Sequence, residues 1–134
     1  MSITDQPGHV DFITNNTSSA DWRSPQNLNL WQGVNGINNP CPSGYRLPTD
    51  AELDAERSSW SNNNSAGAIA SLLKLPMTGT RSSGGSLYFA GSYGYYWSSS
   101  VSGAYSRYIF LYSSDVALGS GNRASGSSVR CLKD

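Results

Sequence analysis

The chain has 134 residues, the size of one domain, and its nine basic and nine acidic side chains leave a formal charge of zero. A neutral chain with no charge run argues against an electrostatic partner such as nucleic acid or anionic lipid. Charged residues make up only 13%, so the surface owes its polarity to Ser, Asn and Tyr among many glycines. That composition suits adaptable binding loops and equally an ordinary turn-rich β protein.

No apolar run approaches the roughly 18 to 20 residues of a membrane span, and the N-terminal MSITDQPGHV has neither the basic nor the apolar part of a secretory leader. The sequence therefore reads as one soluble domain over residues 1–134, without membrane insertion and with its compartment open.

In chain order, HVDFIT (9–14) alternates apolar and polar side chains and predicts an N-terminal strand. The next stretch, to about residue 49, mixes Trp22, Trp31 and several Leu with Asn, Gly and Pro. It reads as ordered loop, because large aromatics bury apolar area wherever they are kept. Thr49, with Glu52 three residues on and Pro48 before it, predicts a capped helix running to about Trp60, its narrow apolar stripe made by Leu53 and Trp60 flanked by Ala51 and Ala55. A second short helix is expected over Ala66 to Lys74, with Ile69, Leu72 and Leu73 on one face and Pro76 ending the run.

Beyond it, LKLPMTG, SLYFAG, GYYWSSS, SRYIFLYS and SSVRCLKD predict short strands separated by Gly and Ser turns, which makes the chain α+β. Alternation in SRYIFLYS puts Ile109 and Leu111 on the core face and Tyr108, Phe110 and Tyr112 on the other, as a second packing layer or a binding surface. In SSDVALGSGN (113–122) the apolar Val116 and Leu118 stand in a turn context where polar residues are usual. They are read as core contacts or as exposed ligand contacts.

Cys41 and Cys131 have no Cys or His neighbour, which leaves a disulfide or two buried thiols and no metal-ligand spacing. The single histidine, His9, has no evident acid–base partner. Asp50 with Glu52 and Asp54 with Glu56 are explained by the N-terminal end of the capped helix rather than by glycosidase chemistry.

Three segments in order, CPSGYRLPTDAEL (41–53), GYYWSSS (94–100) and NRASGSSVRCLKD (122–134), resemble the Fibrobacter succinogenes major paralogous domain. That family is similar to the formylglycine-generating-enzyme branch of the C-type lectin fold, which includes ligand-binding variable proteins diversified by retroelements. The resemblance covers roughly residues 22–134. It implies a C-type lectin-like fold with two short helices, a small antiparallel sheet and long irregular loops, in which the terminal strands pair.

It further implies a variable, ligand-contacting segment over about 95–130. The residues there that fit template-adenine diversification and stand as candidate contacts are Tyr105, Phe110, Tyr112, Val116, Leu118, Ser120, Ser125 and Ser127. Trp97, Arg107, Arg123, Val129, Arg130 and Cys131 fall in the frame.

The expected function is ligand display toward a protein or other macromolecule, on a virion or cell surface. The alternative is a fixed-specificity adhesin or carbohydrate-binding module recognising a surface glycan. No enzyme activity and no cofactor are expected, since the reactive cysteines and copper site of formylglycine-generating enzymes have no counterpart here. No metal is expected either: the EPN-like and WND-like calcium motifs are missing, and Asp115 with Asn122 fall short of the six to eight oxygens calcium prefers.

Overall fold

A computed structural model describes residues 1–17 and 21–134. The order is β1 (Tyr45–Arg46), α1 (Asp50–Ser58), α2 (Ser65–Ala70), β2 (Thr80–Arg81), β3 (Leu87–Tyr88), β4 (Gly94–Ser102), β5 (Tyr105–Leu111), β6 (Val116–Gly121) and β7 (Leu132–Lys133). All pairings between these strands are antiparallel: β1 with β7, β2 with β3, and a central sheet β4-β5-β6. The chain is thus α+β, with two helices and small antiparallel sheets.

The sequence places α1 well. Thr49 Oγ1 accepts from the Glu52 backbone N–H and the Glu52 carboxylate accepts from the Thr49 N–H, closing the capping box. The helix stops at Ser58, two residues short of Trp60, because the Ser59 N–H turns back onto the Glu56 and Arg57 carbonyls. Leu53 is its one buried residue, Trp60 packs at the edge of the core, and Ala51 and Ala55 are exposed. Arg46 grips Glu52 through two hydrogen bonds of 2.8 Å and reaches Asp134 at 2.7 Å, so β1 is tied to the helix and to the C-terminus together.

That grip holds the Glu52 carboxyl down at about 2, against 4.5 ordinarily. A depressed carboxylate pKa adds stability that is complete above 4.5 and is lost as the pH falls toward 2. Because Glu52 is 39% exposed, the expected size is about 1 kcal/mol. Urea unfolding followed across that acid window should show the loss, and Glu52→Gln should flatten it.

The second helix is shorter than expected. It ends at Ala70, where Ser71 leaves the helical region at ψ 169, so Ile69 and Leu72 are exposed and the buried face is Gly67 and Ala68. A Cβ at Gly67 would lie 1.9 Å from the Asn62 carbonyl oxygen, so only glycine lets the incoming loop pass this close. LKLPMTG makes no strand: Lys74 and Gly79 take left-handed φ of 51 and 74, and Leu75 enters the core from irregular chain.

HVDFIT makes no strand either. Val10 is fully exposed and no ladder forms there, since alternation without a neighbour to pair with does not fix a strand. SSVRCLKD is strand only at β7. Conversely, SSDVALGSGN contains β6, pairing in register from Val116 opposite Leu111 to Gly121 opposite Ser106.

The core lies between the helices and one face of the central sheet, where Leu53, Ala68 and Leu75 meet Tyr96, Ile109, Leu111 and Val116. Ile109 and Leu111 point inward as the alternation predicts. Val116 is 2% exposed, which corrects its reading as a ligand contact: apolar burial against Leu111 and Ile109 accounts for its position.

The long N-terminal segment is fixed by polar anchors. Arg123 and Asp21 form an ion pair of 3.2 Å with side chains only 6% and 8% exposed. Arg123 also donates to the Asn27 carbonyl, while Asp21 accepts from Gln26 and from the Arg23 backbone N–H. Burial lowers the Arg123 pKa and the Asp21 charge opposes that. The Cys41 and Cys131 sulfurs are bonded across 90 residues of chain, just outside the β1–β7 pair.

Candidate functional site

With the helices covering one face of the central sheet, the opposite face carries the alternate residues Tyr95, Tyr108, Phe110 and Tyr112. Their rings form a continuous row. Tyr95 and Phe110 are near-parallel at 22° and 6.1 Å between centroids, Phe110 and Tyr112 at 6° and 6.1 Å, and Tyr108 meets Tyr95 edge-on at 5.6 Å. The row continues off the sheet through Tyr93, 5.4 Å from Tyr112, to Phe89 at 5.0 Å and Tyr88 beyond it.

Burial deepens toward one end. Trp97, 5.6 Å from Tyr108, is buried and shares a small cavity of about 20 Å³ with Trp22, Leu30, Trp31 and Arg123. Tyr95, Tyr108, Phe110 and Tyr112 are half-buried, and Tyr88 and Phe89 are about half exposed.

Two backbone features hold this surface in place. Gly119 and Gly121 of β6 leave room for Tyr108, whose ring would lie 2.6 and 2.9 Å from a Cβ at either position. Phe89 has a left-handed φ of 63, costly for a bulky residue, and its carbonyl accepts from the N–H groups of Ser92 and Tyr93. That turn presents the Phe89 ring beside Tyr93.

The seven rings are all phenyl or phenol groups. Burial first, then the neighbouring Tyr108 and Tyr93 hydroxyls, push the Tyr95 phenol above its ordinary value. The face therefore offers apolar area with neutral hydroxyl donors and acceptors.

The eight expected contacts do not form one surface. Phe110 and Tyr112 lie in the aromatic row. Tyr105, Leu118 and Ser120 project from the helix side of the sheet: Leu118 packs against the core, Ser120 accepts from Arg107 at 3.1 Å, and Tyr105 is exposed at the start of β5. Val116 is in the core, and Ser125 and Ser127 are half-buried in the segment after β6.

Compared with family profiles, curated proteins and solved structures, the chain gives no match.

The face also includes residues outside the expected list. Tyr88, Phe89 and Tyr93 precede the segment expected to vary, and the aromatic density of SLYFAGSYGYYW was their signal. Tyr95 and Tyr108 follow from parity with Phe110.

Chemistry elsewhere is accounted for by internal contacts. Asp50 pairs with Arg107 at 2.8 Å, Asp54 with Arg57 at 2.7 Å, and Glu56 accepts from the Trp60 indole. His9 lies 3.9 Å from Asp11, both at the surface. Among the described residues no cluster of three or more His, Cys, Asp or Glu side chains forms a metal-binding group, and no helix is long and apolar enough to cross a membrane.

Proposed function

We propose that this chain is a recognition module that displays its aromatic sheet face to a protein or other macromolecular ligand, as the resemblance to retroelement-diversified C-type-lectin-like proteins implies. The observation that carries the reading is the uncharged row from Tyr108 through Phe110, Tyr112 and Tyr93 to Phe89, mounted opposite the core and left partly open. Rigid aromatic side chains with hydroxyl tips are what binding surfaces use as anchors, since they supply contact area at low entropic cost.

The frame supports it. Arg107 and Arg123 are engaged in ion pairs and Cys131 in the disulfide, contacts that substitution at Phe110 or Tyr112 leaves standing, while Trp97 packs edge-on against Tyr108 and ties that ring to the frame. Arg130 and Val129, also assigned to the frame, are exposed.

The test is the sequence of this gene's 3′ end across its source population, with a search for a near-identical template repeat and a reverse transcriptase beside it. Substitutions at template-adenine positions, concentrated on exposed residues of the 95–130 segment, are the expected result. An invariant segment without a template overturns diversification and leaves a fixed-specificity adhesin or glycan-binding module, which a glycan array then identifies.

In either case Phe110→Ala with Tyr112→Ala should abolish ligand binding. Both rings are half-buried, so we expect a stability loss of about 1–2 kcal/mol for each, less than a core truncation. A loss of folding in the double variant would show that the face is a packing layer.

A further inference from the structure

The two edges of the central sheet are treated differently by the chain. On the β4 edge, the Trp97 N–H donates to the Ser128 carbonyl and the Ser128 N–H donates to the Tyr95 carbonyl, so the segment before β7 closes that edge. On the β6 edge the parity is equally determined. The Tyr112 N–H donates to the Asp115 carbonyl, which makes that pair a hydrogen-bonded one. Counting along the ladder, Ala117, Gly119 and Gly121 then direct their backbone groups at β5, and Val116, Leu118 and Ser120 direct theirs outward.

The Asn63 side-chain amide donates to the Val116 carbonyl, as this parity requires. Among the described residues, nothing pairs with the N–H or C=O of Leu118 or Ser120.

Such an edge is a template for another strand, and proteins usually protect it with a charge, a proline or a bulge. VALGSG has none of these: its register against β5 is unbroken and it carries no charged residue and no proline. We propose that β6 pairs antiparallel with β6 of a second copy of this chain, joining two central sheets into one of six strands.

The register that satisfies the outward groups sets Leu118 of one copy opposite Ser120 of the other, with the two-fold axis at Gly119. Those two symmetric pairs make four backbone hydrogen bonds. Between them the two Gly119 residues form the close, non-hydrogen-bonded pair, with Cα atoms about 4.5 Å apart, where neither has a side chain to clash.

Self-pairing is favoured over a foreign strand by the charge pattern. About a two-fold axis any charge on the strand is repeated across the seam close to its copy, and the two repel. This strand is uncharged and the whole chain has a formal charge of zero. On the aromatic side the seam is lined by Ala117 and by Gly119 and Gly121 beneath the Tyr108 ring, which places the two β5 aromatic rows on either side of it. Three strand spacings separate them, about 14 Å.

Sedimentation velocity of the full chain from low to high micromolar concentration tests this. The expected result is a concentration-dependent dimer. Ser120→Pro removes the outward N–H without touching the β5 ladder, a position where an edge strand tolerates proline, and should weaken association more than about tenfold. Ser120→Ala, which keeps the N–H, should dimerise as the parent does.

A parent that stays monomeric throughout, or a folded Ser120→Pro variant that dimerises as tightly, overturns the proposal. Should the proline variant fail to fold, as read from its tryptophan fluorescence, amide exchange in the parent replaces it. The Leu118 and Ser120 amides should gain protection as concentration rises, and fast exchange of both at every concentration overturns the inference.

Discussion

Asp21→Ala is expected to destabilise the protein by about 3–5 kcal/mol, because it strands the Arg123 guanidinium in the interior without its counter-charge. Both side chains are nearly buried, and burial already disfavours the charged Arg123. The substitution also takes the carboxylate from the Gln26 side chain and the Arg23 backbone N–H, so two donors lose an acceptor as the guanidinium loses its counter-charge. Urea unfolding with the disulfide intact measures the cost, and melting should fall by roughly 10 to 20 °C.

Charge isolation predicts a specific asymmetry. Removing both members, as Asp21→Leu with Arg123→Met, should cost less than Asp21→Ala alone, since an apolar pair of similar volume leaves no unpaired ion. A double variant as unstable as the sum of the single variants would show that the individual hydrogen bonds, and not the charge pairing, hold the N-terminal segment to the sheet.

These polar anchors mark the limit of what the sequence reveals. The capping box at Thr49 and Glu52 and the alternation at Ile109 and Leu111 were legible because both signals are local and both elements also bury an apolar face. β6 was not legible: VALGSG has two glycines and little β propensity, and it becomes a strand by pairing with β5, whose own pattern is strong. HVDFIT is the converse, with the right alternation and no neighbouring strand to complete it. The Asp21–Arg123 contact joins residues about a hundred positions apart, which no periodicity announces.

The candidate site was half legible for a related reason. Parity along β5 already assigns Tyr105 to the side of Ile109 and Leu111, and Tyr108 to the side of Phe110. A list drawn by residue type across 104–128 mixed the two faces, and only the alternation separates them. Phe89 and Tyr93 reach the site through the turn that holds Phe89 in the left-handed region, a conformation that nothing in SLYFAG signals.

Reduction of the Cys41–Cys131 bond should cost about 4–5 kcal/mol in urea unfolding, the loop-closure value for the 90 residues it spans. The double variant Cys41→Ser with Cys131→Ser should match the reduced protein. What remains at that junction is slight: β1 and β7 pair over two residues each, the Asp134 N–H donates to the Gly44 carbonyl, and Arg46 reaches Asp134. The segment between Arg123 and Cys131 also carries Ser128, which closes the β4 edge. Releasing the bond should therefore speed amide exchange at Trp97 ahead of Ile109, whose N–H lies inside the sheet. A reduced protein within 1 kcal/mol of the oxidised one would mean that the ion pairs of Arg46 and Arg123 restrain the termini unaided, and that the bond is dispensable to the fold.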